Sequence, residues 1–416
     1  MLEYHFVYKN FVAFYYSYAD INYQQVSDSV LLPLVIQATL PVLFFKGVKN
    51  ISSFFSFFIY VLVYIPFVDS LYTCGLPSST SLVYGVVFFA CMSMFFLTDN
   101  VFLAKKLVSD KHAVISFRTF ELIVAILLFA SLFVNRGNMT FVNFLDDASD
   151  LYERRAAYSS RLDMRVFYYI VLWLSHFLLP LLSVIYIKEK KYIKLILVIA
   201  ASVLVYMINM QKATFIMPLV IVVAYILYKM RERFFVKYVP ILFLLALASV
   251  SILLFSYSDN PSVFSIAAVF IMRSQCIEGM ELDRYMHFFE MSNHPYTHYT
   301  HIGLINKLTG LYPYSESIGR VVAGDGGNSN GTFWLMDGVA ADGFLGVIII
   351  SLVFILIKGL LNSIGQKYDY MVVIFSLLYV FTSCANVSLF TSLISGGLLI
   401  ALLTFYFVDI KCLMSR

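Results

Sequence analysis

The feature that most constrains this chain is a series of apolar runs, each long enough to cross a bilayer at about 17–25 residues. They fall near residues 30–46, 51–69, 81–98, 119–135, 166–187, 192–210, 212–228, 238–256, 334–357, 369–388 and 391–408. Residues 6–23, FVYKNFVAFYYSYADINY, carry Lys9 and Asp20 among tyrosines and fit either a twelfth span or an interfacial helix. The expected fold is all-α and polytopic, with about 11–12 transmembrane helices in a single integral membrane domain over residues 1–416. Composition agrees, because 13% charged residues is half the roughly 25% of a soluble domain.

Basic residues set the orientation. Every second connection is lysine-rich: KGVKN, AKKLVSDKHAVISFR, KEKKYIK, KMRERFFVK, KGLLNSIGQK and the tail KCLMSR. These faces and the C-terminus are expected in the cytoplasm. The opposite side holds two long connections, 136–165 and 257–333, and its basic residues are mostly arginine: Arg136, Arg154, Arg155, Arg161, Arg165, Arg273, Arg284 and Arg320, with Lys212 and Lys307. A planar guanidinium matches phosphate and carboxylate bidentately, so arginine-rich outer loops point to an anionic ligand. Salt bridges to Asp146, Asp147, Asp150, Glu153 and Asp163 are the competing use for Arg154 and Arg155.

The stretch 257–333 is too polar for lipid and holds most of the chemistry-bearing side chains. In 265–290, helical spacing places Arg273, Ile277, Met280 and Arg284 on one face, the arginines about 16 Å apart. They would address two separate anions unless Gly279 breaks the helix. A surface helix salt-bridged through Glu278, Glu281 and Asp283 is the plainer alternative. Arg320 opens RVVAGDGGNSNG, where glycines allow close backbone approach to a ligand. With no preceding strand and no GK[ST], this is no nucleotide loop. A flexible substrate-covering loop, or a linker, remains.

His294, His298 and His301 follow His287, but Pro295 interrupts the helix a zinc face would need. Hydrogen bonding to sugar hydroxyls or acid–base work suits them better, and no metal is expected. Asp337 and Asp342 sit at the mouth of a membrane helix, where a carboxylate is paired, functional or capping the helix dipole. The five cysteines show no metal or redox spacing; a Cys74–Cys276 disulfide is open, with free thiols preferred. No cleaved signal, internal repeat or low-complexity tract is visible.

The segments MQKATFIMPLVIVVA, NGTFWLMDGVAADGFLGVIIISLVFILI and CANVSLFTSLISGGLLIALL, with the arginine-bearing loop between the first two, resemble O-antigen polymerases of the Wzy type. The resemblance covers the topology and roughly the last half of the chain. Arg320 and Gly331 match the family's Arg-x10-Gly pattern, whereas 136–165 has no second copy. It implies a GT-C-like glycosyltransferase of a bacterial inner membrane with one large periplasmic loop. Such an enzyme moves a growing glycan from undecaprenyl pyrophosphate onto an incoming lipid-linked repeat unit.

On that reading Arg273, Arg284 and Arg320 stabilise the leaving pyrophosphate. The base is Glu278, Asp325 or a loop histidine. Arg161, Arg165, Lys212, His298, Asp325, Gly331, Asp337 and Asp342 are the expected substrate-binding set. Neither cofactor nor nucleic acid is called for; the partners are the lipid-linked oligosaccharides, membrane lipid and, as a candidate, a chain-length regulator. A flippase for the same lipid-linked unit is the competing class, disfavoured because the spans look nearly free of charge. An O-antigen ligase is the nearest enzymatic alternative.

Overall fold

The computed structural model describes residues 1–15, 23–26, 28–102, 114–141, 165–257, 259–324 and 327–410. Among them nine helices are long and apolar enough to cross a membrane: Ile51–Thr73, Ser78–Leu97, Phe117–Asn135, Val166–Lys188, Tyr192–Asn209, Lys212–Met230, Glu232–Ser256, Leu335–Gly365 and Leu389–Phe407. The shorter apolar helices Val30–Phe44 and Tyr370–Asn386 account for the two remaining expected runs. Strand is confined, among the described residues, to a two-residue parallel pairing of Ile115–Ser116 with Val408–Asp409. Helix starts follow ordinary capping chemistry. Asn50 accepts from the Ser53 N–H at 2.8 Å while Ser53 Oγ accepts from the Asn50 N–H at 3.0 Å, a capping box that opens Ile51–Thr73.

The chain divides into two compact units, each assembled from separated segments. The first comprises Met1–Val101, Val236–Lys358 and Cys384–Phe390; the second comprises Phe102–Phe235, Gly359–Ser383 and Thr391–Arg416. In the second, Tyr186 and Lys194 converge on Glu121 at 2.6 and 2.7 Å, joining three helices. Outward-facing apolar side chains such as Phe129 and Ile193 are exposed, as lipid-facing surfaces require.

The first unit is built around Trp334. Its ring is fully buried against Phe67, Phe88, Phe95 and Phe333, and its Nε1–H donates to Ser351 Oγ at 2.8 Å. The tyrosine-rich N-terminal stretch is helical over Leu2–Val7, Tyr8–Val12 and Ala13–Tyr15, with Tyr4, Val7, Tyr8, Phe11 and Val12 buried. His5 Nδ1 pairs with Asp69 at 2.8 Å, and Ser251 Oγ donates to Glu3 at 2.5 Å. Residues 16–22 lie outside the described residues.

Two expectations are corrected here. The run 334–357 is not one continuous helix, because the chain reverses at Asp342 (φ −162°) and Gly343 (φ +57°). The arm Leu335–Ala341 then lies back along the helix that continues to Gly365. Gly338 faces Val347, Trp334 reaches Ser351, and Phe333 stacks on Phe354 at 4.9 Å. Only glycine permits this: a Cβ on Gly346 would stand 2.2 Å from Gly338 O, and Gly343 has the left-handed φ that side chains disfavour.

The helices are also not nearly free of charge. Lys358, expected in a cytoplasmic connection, lies inside the helix at 0% exposure. Its Nζ donates to Ser56 Oγ, Phe95 O and Asp99 Oδ1 at 2.7, 2.6 and 3.0 Å. Asp69 is likewise buried within Ile51–Thr73.

Candidate functional site

Most of the polar stretch 257–333 is folded onto the first unit. It begins as two helices, Val263–Ser274 and Ile277–Met291, bent by 50°, which together have the length and composition of a broken span or a re-entrant loop. The single face expected across 265–290 is lost, because a π-turn at Met272–Cys276 and the bend separate Arg273 from Arg284. Gly279 does not break the helix. It is a packing glycine, where a Cβ would meet Ser70 Oγ at 2.5 Å and Tyr4 OH at 2.6 Å.

Helix Ile277–Met286 is no surface helix either, since Glu278, Glu281 and Asp283 are all buried. Arg284, with 27% of its side chain exposed, donates to Ser329 Oγ at 3.0 Å and lies 3.7 Å from Glu281 Oε1. Arg273 is exposed, and its charge acts on both Glu278 and Glu281. Glu278 and Glu281 each keep one buried oxygen, Oε2, without a hydrogen-bond partner. The Arg284 guanidinium thus stands beside buried Glu281, and the charge of Arg273 reaches both Glu278 and Glu281.

The end of the Gly/Asn-rich tail, residues 327–331, packs against this cluster. Ser329 N–H donates to Gly319 O at 2.8 Å, and Ser329 O accepts from Tyr285 OH at 3.1 Å. Gly331 presses on Tyr285 and Leu335, with no room for a Cβ. Arg320 is exposed on helix Ile318–Ala323, which packs on Ile277–Met286. The structure therefore brings Arg284, Glu281, Ser329 and Gly331 together, with Glu278 on the same helix, Arg273 across the bend and Arg320 on a helix packed against Ile277–Met286. Asp325, Gly326 and Arg161 lie outside the described residues, as do 142–164 of the second long connection and the side chain of Arg165. Lys212 opens a helix of the second unit.

A second constellation surrounds the reversal at Asp342–Gly343. The carbonyls freed there are satisfied by an incoming loop: Thr297 N–H donates to Ala340 O and His298 N–H to Ala341 O, both at 2.8 Å. His298 (φ +44°) and Tyr299 (φ +63°) are consecutive left-handed residues without being glycine, a strained conformation held by its surroundings. His298 Nδ1 faces Asp342 Oδ1 at 3.5 Å, with side chains 71% and 36% exposed. Beneath them Tyr84 OH and Tyr296 OH donate to Glu290 Oε1 at 2.5 and 2.7 Å. Burial pushes the Tyr299 phenol up to about 12, and the charges of Asp337 and Asp342 add to this.

Asp337 is differently placed, fully buried and engaged at both oxygens. His301 Nε2 and Ser388 Oγ reach Oδ1 at 3.0 and 2.7 Å, and the Leu389 N–H donates to Oδ2 at 2.6 Å. It thereby caps Leu389–Ile394. His287 Nε2 donates to Cys74 O at 2.8 Å, and His294 stacks on Phe288. Among the described residues no three His, Cys, Asp or Glu side chains gather as a metal-holding group. Cys74, Cys91, Cys276 and Cys384 are buried and in no disulfide; Cys412 lies outside the described residues.

Sequence reasoning passed over Ser329, Glu290, Tyr84 and Tyr296 as site residues, and treated Glu281 only as a surface partner. Glu281 had a signal, three residues from both Glu278 and Arg284 on a helix. The tyrosines, 206 and 6 positions from Glu290, had none.

The chain is an all-helical, multi-pass membrane protein. Compared with protein-family models, curated proteins and solved structures, it matches none of them.

Proposed function

We propose that the chain polymerises lipid-linked oligosaccharide repeat units, transferring a growing glycan from undecaprenyl pyrophosphate to the incoming unit at the periplasmic face of a bacterial inner membrane. The observation that carries this reading is the cluster of Arg284, Ser329 and Glu281, with Arg273 beside it and Arg320 on the adjoining helix. A pyrophosphate leaving group develops negative charge as the glycosidic bond breaks, and preorganised guanidinium donors stabilise that charge. Buried Glu281 lies beside Arg284, and Tyr285 and Gly319 hold Ser329 against it. On this reading 257–333 is the large periplasmic loop of a GT-C-like enzyme, and a chain-length regulator is a candidate partner. The buried charges Asp69, Asp99 and Lys358 are what favours a flippase as the second reading. Lys358 is tied to Asp99 and Asp69 to His5, which suits packing better than a charged passage.

Deleting the gene and inspecting the surface polysaccharide separates these readings. A polymerase mutant should keep a single repeat unit attached and lose the polymer, whereas loss of every attached unit means flippase or ligase. Complementation with Arg284→Ala should fail. Arg284→Lys should restore only part, because a point charge lacks the planar fork. Unchanged polymer in the deletion strain removes the proposal.

A further inference from the structure

The reversal at Asp342–Gly343 does not follow from packing economy, since a straight helix would satisfy its own backbone. Here the chain is instead turned back through a glycine with positive φ, and the freed carbonyls of Ala340 and Ala341 are satisfied by Thr297 and His298. The loop that satisfies them carries two consecutive strained residues. Irregular backbone in membrane proteins is either buried in protein or lines a cavity, and discontinuous helices form the binding sites of many transporters. Backbone strain clusters at sites as well.

The side chains presented at this apex have a consistent chemistry. Gly343 lies against Tyr296 and Tyr84, where a Cβ would stand 2.9 and 3.3 Å from their hydroxyls. Both tyrosines donate to Glu290, so one carboxylate fixes two aromatic rings under the turn. Above them stand His298 and Asp342, the most accessible ionisable pair of this constellation. Tyr84 is buried and supports Glu290, while the rings of Tyr296 and Tyr299 are part-exposed; such aromatic surface beside a carboxylate suits a sugar, which offers apolar C–H faces and hydroxyl donors. Glu290 and Arg284 share the stretch Ile277–Met291, six residues apart, which is roughly 9 Å along a helix.

We propose that the apex is the acceptor-sugar site and that His298 is its general base, oriented by Asp342. The assignment rests on the polymerase reading above. An Asp342 carboxylate facing Nδ1 selects the tautomer in which Nδ1 carries the hydrogen and Nε2 the lone pair. The acceptor hydroxyl gives its proton to Nε2 as its oxygen bonds to the anomeric carbon of the growing glycan. The anomeric C–O bond to phosphate breaks, and the electron pair leaves with undecaprenyl pyrophosphate. The imidazolium then releases its proton to water, to which this side chain is open. Asp337 and His301, close in sequence to this pair, are buried and mutually bonded, which makes them structural supports of the same turn.

The test uses purified full-length protein in detergent with lipid-linked repeat units, reading polymer formed and donor bound. His298→Asn is the informative variant. Asparagine tolerates left-handed backbone, it can still bond Asp342, and it cannot take a proton. Turnover should fall by about 10²–10⁴-fold, with donor binding and melting temperature unchanged. Asp342→Asn should lose less. In His298→Gly, where glycine accepts the same backbone, added imidazole should restore part of the rate. Wild-type turnover in His298→Asn, or a loss in His298→Gly that imidazole does not lift, overturns the assignment. Wild-type protein that joins no repeat units refutes the polymerase reading itself, and that outcome is seen before any variant is measured.

Discussion

The buried pair Lys358–Asp99 makes a demanding test of how the first unit is held together. Lys358 Nζ has three partners within 3.0 Å, and Asp99 Oδ1 also accepts from Ser56 Oγ at 2.6 Å. Three helices meet at this point: Ile51–Thr73 through Ser56, Ser78–Leu97 through the Phe95 carbonyl, and Leu335–Gly365 through Lys358. Lys358→Met removes the cation and leaves a carboxylate in a site with almost no access to water. Breaking one side of a buried ion pair costs about 3–5 kcal/mol. In the double variant Lys358→Met/Asp99→Asn no charge is stranded. Ser56 Oγ already lies 3.4 Å from Phe95 O and can take over as its donor. The double variant should therefore recover to within about 1 kcal/mol of wild type, since replacing both members of such a pair is often near neutral. Thermal unfolding in detergent can be followed with a thiol-reactive dye, because Cys74, Cys91, Cys276 and Cys384 are all buried and in no disulfide. A Lys358→Met protein that melts like wild type would refute this reasoning. So would a double variant whose loss equals the sum of the two single losses.

Two further predictions concern architecture. Gly346→Ala places a Cβ 2.2 Å from Gly338 O and 3.0 Å from its carbonyl carbon. Backbone cannot yield as a side chain does, so the loss should exceed the about 1–3 kcal/mol of ordinary overpacking. Gly137→Ala, with no atom within 4 Å of the new Cβ, should melt like wild type in the same assay, and equal melting of the two variants would count against the helical reversal. Fusions to a reporter enzyme active only in the periplasm should be active after Lys307 and silent after Ser415. The reverse pattern would overturn the assigned orientation.

Helix existence was legible wherever an apolar run was long. All eleven expected runs are helical, because burial or lipid exposure rewards the same residues whatever the packing partner. Partnership inside the helices was not legible. Lys358 reads as a loop lysine by its position after an apolar run, yet it is buried by Asp99, 259 residues away. Such pairing depends on which helices neighbour one another, which periodicity does not encode. The candidate site shows the same division. Arg284, Glu278 and Glu281 are local to one helix and could be grouped from spacing, whereas Ser329 reaches Arg284 from 45 residues away. Glycine there reads as conformational freedom. Here Gly331 is instead required by close packing on Tyr285.

The reversal at Asp342–Gly343 is the feature whose signal was present and overridden. An Asp-Gly pair is ordinarily a turn signal, and GVAADGFLG places glycines on either side of it. Hydropathy averaging hides the pair, since its neighbours on both sides are strongly apolar. The physics that separates a hairpin from a straight span is steric and not hydrophobic. Gly338 and Gly346 remove the two Cβ atoms that would hold the arms apart, and Gly343 supplies the positive φ. The carbonyls this exposes must then find donors from elsewhere, and Thr297 and His298 provide them. The loop that binds those carbonyls is thereby fixed in space, which brings His298 to Asp342. Closing the turn and assembling that pair are one structural event, so substitutions that straighten the helix should also displace His298.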